Sequence, residues 1–170
     1  MRPEPALRAT VLPRRAVARA WLALVLIVCG AAVAGDQEGP LRVFLPDELH
    51  WVPNKSVPAG MTMTMLYGDP RQPGPFIFRA KIPAGYRLPP HRHPDERIVT
   101  VLSGTYYSGV GEKFDRAALR AYPPGSFYVT PADTPHFAWV ESGEVIIQES
   151  GFGPKSGIDY VDPADDPRPR

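Results

Sequence analysis

The chain has 170 residues, of which 22 are Pro and 15 are Gly, and this density of helix-breaking residues excludes a helical bundle and favours short strands joined by turns. The hydrophobic content of 44% lies well above that of disordered proteins, so one folded domain with a single core is expected at this length. The formal net charge of +1 provides no broad basic surface for nucleic acid, and a small molecule or an ion is the expected partner.

The first 34 residues have the pattern of a secretory signal peptide. Five arginines precede an apolar run, residues 20–34, which ends in small residues at a predicted cleavage site after Ala34. The run is shorter than the roughly 18 to 20 residues that a transmembrane helix needs. The alternatives are an uncleaved anchor, a twin-arginine signal at Arg14 and Arg15, and lipid attachment at Cys29. We expect a periplasmic or secreted protein with no stable membrane anchor after cleavage.

The mature chain is predicted to form nine or more short β-strands. Short blocks of β-branched and aromatic residues alternate with Gly-, Pro- and Asp-rich turns, one of them at Pro89 and Pro90, which is typical of a sandwich or barrel. The predicted strands are residues 41–45, 61–67, 75–82, 98–102, 105–110, 126–130, 136–140, 145–149 and 158–161. Asp115 is expected to cap a helical turn within residues 115–121.

The predicted domain organisation has four parts. They are a signal peptide (1–34), an N-terminal strand extension (35–60), a β-barrel (61–162) and a C-terminal tail (163–170). The tail has no apolar periodicity, so it is expected to be mobile or to lie over the surface.

His91 and His93 form a candidate metal site. Residues two apart on a strand share one face, so both imidazoles can point at one ion, with the carboxylate of Asp95 or Glu96 close by. Imidazole and carboxylate ligands suit zinc or a redox-active first-row metal. Because the single cysteine lies in the predicted signal peptide, a metal has to bind through such ligands.

His136 is the candidate for a further ligand. It follows a Pro-rich turn, residues 131–135, which would place it at the start of a new strand. His50, isolated beside Trp51, is expected to be a surface or packing histidine instead.

Two motifs resemble those of the cupin superfamily. The first comprises Gly85, five residues, His91-x-His93, Glu96 and Gly104, and the second comprises Gly125, five residues, Pro131 and His136. The resemblance covers most of the mature chain and is closest to small single-domain secreted cupins. It implies an all-β double-stranded β-helix, or jelly-roll barrel, with a metal near its axis held by His91, His93, a glutamate and His136. It also implies a homodimer.

The spacing in the first motif departs from the family pattern. The family usually leaves three or four residues between the second histidine and the glutamate, whereas only Pro94 and Asp95 precede Glu96, and Arg97 takes the three-residue position. A bulge would turn Glu96 inward as the carboxylate ligand. Otherwise Arg97 would face the metal, which the two positive charges disfavour unless a carboxylate lies between them, and Asp95 or water would complete the site. In the second motif Asp133 replaces a glycine, and aspartate tolerates turn conformations.

The barrel interior is expected to bind a small molecule beside the metal. Tyr106, Tyr107, Tyr128 and Gln148 all have polar tips that could orient a ligand, and of these Tyr106 and Gln148 are the predicted substrate-binding residues. On the third predicted strand either Phe76 and Phe78 or the residues that alternate with them line the barrel.

The expected cofactor is one divalent first-row transition metal, namely Fe, Mn, Zn, Ni or Cu. Open coordination positions would allow dioxygenase-like chemistry with a redox-active ion, or Lewis-acid chemistry such as isomerisation with zinc. A small-molecule metalloenzyme is the favoured interpretation. The alternatives are a metal-dependent protein that binds or senses a small ligand without turnover, and a structural protein with a vestigial site.

Overall fold

A computed structural model of the protein describes residues 41–169. The predicted signal peptide, its cleavage site and the first part of the predicted extension lie outside the described residues. Among the residues that are described, no helix is long and apolar enough to cross a membrane.

Eleven strands and three single-turn 3-10 helices are present in this part of the chain. The strands are β1 (Val52–Pro53), β2 (Thr62–Tyr67), β3 (Gly74–Ile82), β4 (Arg87–Arg92), β5 (Arg97–Ser103), β6 (Tyr106–Val110), β7 (Arg120–Tyr122), β8 (Phe127–Thr130), β9 (His136–Trp139), β10 (Val145–Gly153) and β11 (Asp159–Tyr160). The 3-10 helices are Pro46–Glu48, Arg116–Ala118 and Pro163–Asp165.

The strands form two antiparallel sheets. One sheet has six strands in the order β1-β2-β3-β10-β5-β8, and the other has five in the order β11-β4-β9-β6-β7. Alternate residues of both sheets supply one core, which includes Ile82, Val101 and Ile147 from the first sheet and Leu88 and Ala138 from the second. The all-β jelly-roll prediction is confirmed.

Two predicted elements differ from the structure. Residues 41–45 form no strand, and Leu41 is 90% exposed. Pro89 and Pro90 form no turn but lie inside β4, where the register with β9 is irregular. A proline cannot donate to a ladder, so it is tolerated in a strand only where no N–H is required, as at such an irregularity.

The remaining short elements agree with their sequence signals. Asp115 caps the 3-10 helix Arg116–Ala118 by accepting a hydrogen bond of 2.9 Å from the backbone N–H of Ala117. In the tail, Arg168 donates to the carbonyl of Ile158 at 3.0 Å. This hydrogen bond connects the tail to the residue that precedes β11.

Candidate metal centre and its cavity

Three histidines meet where β4 ends and β9 begins. Because these strands are antiparallel neighbours, the carboxyl end of one lies beside the amino end of the other. His91 in β4 is paired directly with His136, the first residue of β9, and His93 follows the end of β4. The strand pairing thus brings together residues that are far apart in sequence. His50 is exposed, as expected.

The three imidazoles are close enough to share one ion. Their ligand atoms all lie within 4.8 Å of one another. The ring centroids are 4.2 Å apart for His91 and His136, 5.0 Å for His91 and His93, and 5.3 Å for His93 and His136. Two nitrogens that bind one ion at roughly 2 Å are at most about 4 Å apart, so the three donors are gathered close to the separation that a shared ion requires.

Each imidazole is fixed by a backbone carbonyl at its Nδ1 atom. The hydrogen bonds run from His91 to Pro89 at 2.8 Å, from His136 to Thr134 at 2.9 Å and from His93 to Gly157 at 2.5 Å. Since a carbonyl can only accept, each Nδ1 carries the ring proton and each Nε2 keeps its lone pair. Partners of this kind orient metal-binding histidines in proteins.

Burial keeps the imidazoles neutral. His91 is 2% exposed, and its burial, with His136 nearby, lowers its pKa to about 3. Burial and the charge of Arg97 lower the pKa of His93 to about 2, and burial also lowers the pKa of His136. Neutral imidazole is the form that binds metals, so all three side chains are available at neutral pH.

The turn before β9 connects His93 to His136. The backbone N–H of Asp133 donates to the carbonyl of His93 at 2.8 Å. Asp133 has a φ of +58°, in the left-handed region that favours glycine and that aspartate also visits. The residue therefore performs the turn that its position in the motif requires.

The structure does not bring Glu96 to the histidines. Glu96 is exposed, whereas Arg97 is 5% exposed and lines the same cavity as the three imidazoles. The group of ligand atoms found among the described residues contains no carboxylate. The arrangement follows the alternative in which Arg97 faces the cavity.

Asp95, the other carboxylate considered from the sequence, is engaged elsewhere. Its Oδ1 accepts from Nε of Arg97 at 3.1 Å, and its Oδ2 accepts from the backbone N–H of Phe152 at 3.0 Å. A side chain at Gly151 would collide with this carboxylate, because a Cβ there would lie 2.3 Å from Oδ2. Asp95 therefore fixes Arg97 rather than an ion.

Arg97 lies between two buried carboxylates. Besides the bond to Asp95, its Nη1 donates to Oε1 of Glu149 at 2.7 Å, and the side chains of Arg97, Asp95 and Glu149 are only 6%, 8% and 13% exposed. Pairing offsets the charge that would otherwise repel a cation at the histidines.

Arg97 also reaches a candidate metal ligand through one carbonyl. Its Nη2 donates to Oγ of Ser156 at 2.8 Å and to the carbonyl of Gly157 at 3.1 Å. The same carbonyl of Gly157 accepts the Nδ1 hydrogen bond of His93. The position of Arg97 and the orientation of the His93 ring are thereby coupled.

The histidines open into a cavity of ≈ 250 Å³. Its wall is largely apolar, with Met63 and Met65 from β2 and Phe76 and Phe78 from β3. The rings of Phe76 and Phe78 are nearly parallel, with centroids 6.3 Å apart and an interplanar angle of 10°. Of the two possible faces of β3, the phenylalanine face lines the cavity.

Comparison with known proteins agrees with this geometry. Residues 78–149 match the family model for a cupin domain, and these residues carry all three histidines. The chain contains a cupin domain and has the cupin fold. No curated protein sequence matches this cupin.

Solved structures show the same fold at low sequence identity. The polyketide cyclase RemF from Streptomyces resistomycificus has a TM-score of 0.63 and 16% identity, with 75% of this chain and 89% of that chain covered. An RmlC-like cupin from Ralstonia eutropha has a TM-score of 0.55 and 22% identity, with 74% of each chain covered. KdgF from Halomonas sp. has a TM-score of 0.51 and 22% identity, with 66% of this chain and 95% of that chain covered. Such likeness shows the fold, and chemistry has to be argued from the site.

The donor set of this cupin fits a divalent transition metal. Cupins commonly bind a metal, and the cluster offers three neutral nitrogen donors whose Nδ1 atoms are already satisfied. Three protein ligands leave room for a further ligand on the ion. His91, His93 and His136 are therefore the residues that would hold it.

Of the two predicted substrate-binding residues, Tyr106 lines the cavity and Gln148 does not. Gln148 accepts a hydrogen bond of 3.2 Å from Nε of Arg79. Because side chains alternate along β10, the neighbouring Glu149 lines the cavity together with Ile147. The sequence interpretation missed Glu149 by one residue, because this strand has apolar residues at both odd positions (Val145, Ile147) and even positions (Ile146, Phe152) and alternation alone does not identify the inward face.

Proposed function

We propose that this cupin binds one divalent first-row transition metal through His91, His93 and His136 and acts there on a small molecule as a metalloenzyme. The observation that carries the proposal is the convergence of three imidazoles whose Nδ1 protons are all donated to backbone carbonyls. A purely packing role would not require the same tautomer at all three rings.

A bound ion supplies Lewis acidity, and a redox-active ion also supplies electron transfer. Lewis acidity alone would suit an isomerase-like reaction, and electron transfer would suit a dioxygenase-like reaction. The chain's own residues bind and enclose the substrate. Arg97 and Glu149 lie on the polar side of the cavity, and the methionine and phenylalanine side chains form its apolar side.

The size of the cavity limits the substrate. A volume of ≈ 250 Å³ holds about eight water-sized groups at roughly 30 Å³ each. The substrate is therefore a small molecule with an apolar part that covers Met65 and Phe78, and a polar end directed at the histidines.

Metal analysis followed by a turnover screen tests this function. The purified protein is expected to hold one ion per chain, and the metal-loaded form should convert some member of a panel of small oxygen-containing molecules. Binding without turnover, seen as a rise in melting temperature with unchanged ligand, would instead indicate the alternative of a non-enzymatic binding protein. The scarcity of acid–base groups in the cavity, with one carboxylate among the lining residues described, favours that second candidate.

We further propose that the protein is exported and forms a homodimer. The sequence pattern of residues 1–34 supports export, and mass spectrometry of the exported protein should give the mass of a chain that begins at Gly35.

Dimer formation is supported by β8, an edge strand on which Phe127 is 63% and Val129 is 44% exposed. Light scattering of the mature protein should give twice the chain mass, and should give the chain mass for Phe127→Lys.

A further inference from the structure

Glu149 is the one carboxylate among the described residues that line the cavity. Its Oε1 accepts a hydrogen bond of 2.7 Å from Nη1 of Arg97. Its Oε2 accepts no hydrogen bond from any residue in the described part of the chain. The side chain is thus held by one oxygen while the other is left for a ligand.

The other polar groups of the cavity cannot take up a proton. The imidazoles use Nδ1 as a donor and would hold the proposed metal through Nε2, and Arg97 is a donor only. Burial, with the negative charge of Glu149 nearby, raises the pKa of Tyr106 and of Tyr128, so both hydroxyls keep their protons. Glu149 is left as the proton acceptor of this cavity.

We propose that Glu149 accepts the proton of a protic ligand oxygen, such as an enol, a phenol or a hydroxyl beside a carbonyl, when that oxygen binds at the histidine-bound metal. The inference rests on the proposed metal site. In this step the O–H bond of the ligand breaks, its electron pair stays on the ligand oxygen, and a new O–H bond forms at Oε2 of Glu149. No electrons are exchanged with an oxidant, and the charge inside the cavity does not change.

The surroundings of Glu149 favour this step. Burial raises the pKa of Glu149, while the ion pair with Arg97 opposes that increase and Asp95 adds to it. Because Asp95 shares the guanidinium of Arg97, protonation of Glu149 leaves a neutral Arg97–Asp95 pair rather than an unpaired charge. The carboxyl can therefore gain a proton without isolating the arginine.

Acetohydroxamic acid is a suitable probe, because it is neutral in water at pH 7, small enough for the cavity, and binds metals as its anion. The metal content of the Zn²⁺-loaded protein is measured first. Calorimetric titrations in two buffers of different ionisation enthalpy then give the number of protons released to solvent for each hydroxamate bound.

The wild-type protein should release almost no protons, because Glu149 retains the proton that the hydroxamate loses. Glu149→Gln should release about one proton per hydroxamate and bind it about tenfold more weakly, because the proton that the hydroxamate loses then has to go to solvent. Gln148→Ala, on the opposite face of the same strand, is the matched control and should behave as wild type.

Equal proton release from wild type and Glu149→Gln, with zinc bound in both, would overturn the role of Glu149 and leave the metal site standing. A protein that retains no zinc would overturn the proposed function itself. The infrared difference spectrum of the wild type needs no variant. Hydroxamate should produce the C=O band of a protonated carboxyl, and its absence would also overturn the proposal.

Discussion

His91 and His136 lie directly opposite each other on the antiparallel strands β4 and β9, with their ring centroids 4.2 Å apart. Cross-strand neighbours of this kind are fixed by the register of the sheet. In each of the two rings, Nδ1 is also hydrogen-bonded to the carbonyl two residues earlier. The two side chains therefore form a rigid pair of nitrogen donors. The third donor, His93, completes the group.

Removal of either partner should abolish metal binding. His91→Ala and His136→Ala should each retain less than about a tenth of the wild-type ion, because each removes one of the three donors, and residues 41–169 add no carboxylate to this group. Elemental analysis of the purified variants provides the measurement, with circular dichroism to confirm the fold. His50→Ala, at an exposed histidine, is the control and should keep the wild-type content. Wild-type metal content in His91→Ala would rule out a shared centre.

The nitrogen-only donor set predicts a preference among metals. Imidazole suits zinc, copper and nickel, whereas carboxylate and water suit manganese and magnesium. We expect Zn²⁺ and Cu²⁺ to bind at least about tenfold more tightly than Mn²⁺. Competition titrations of the metal-free protein measure this ratio, and tighter binding of Mn²⁺ would indicate a carboxylate in the coordination sphere.

Glu96 provides a direct test of that donor set. Glu96 is the ligand predicted from the motif, but its side chain is exposed and lies outside the histidine group. Glu96→Gln should therefore bind zinc with an affinity within about twofold of wild type, since exposed substitutions away from a site have small effects. His93→Gln is the comparison variant and should lose the ion. If Glu96→Gln loses zinc as His93→Gln does, the motif-based prediction is correct.

Much of this architecture follows from the sequence because turns and alternation are local signals. The histidine pair His91 and His93 and the turn before His136 were recognisable from spacing alone. Spacing does not show which side chain of residues 96–97 or 148–149 points into the barrel, because a shift of one residue in the strand register reverses the choice. For residues 96–97 the choice depends on where β5 begins. Arg97 is stabilised inward by the nearby Asp95 and by Glu149, which is distant in sequence.

The buried ion pairs of Arg97 should contribute strongly to stability. Arg97→Met leaves two carboxylates without a counter-charge in the interior, and removal of one partner of a buried pair typically costs about 3–5 kcal/mol. Urea unfolding of the metal-free protein measures the loss. Arg79→Met is the matched control, because Arg79 is only half-buried and makes one side-chain hydrogen bond, to Gln148. Equal losses for the two variants would contradict a special role for the buried pairs.

The neutral imidazoles predict how the stability of the metal-free protein depends on pH. The folded pKa of His91 is lowered from 6.5 to about 3, so below about pH 6.5 the unfolded chain binds a proton that the folded chain does not. The contribution of neutral His91 to the free energy of unfolding is therefore fully present above about pH 6.5 and is lost as the pH falls towards 3. At about pH 5 this loss should be about 2 kcal/mol for His91 alone. The raised pKa of Glu149 acts in the opposite direction, but the lowered pKa values of His93 and His136 add to the loss of stability at low pH.

Urea unfolding between about pH 7 and pH 5 should show this decrease in stability in wild type and in His50→Ala, and a smaller decrease in His91→Ala. An unchanged slope in His91→Ala would mean that its imidazole is not buried in the neutral form.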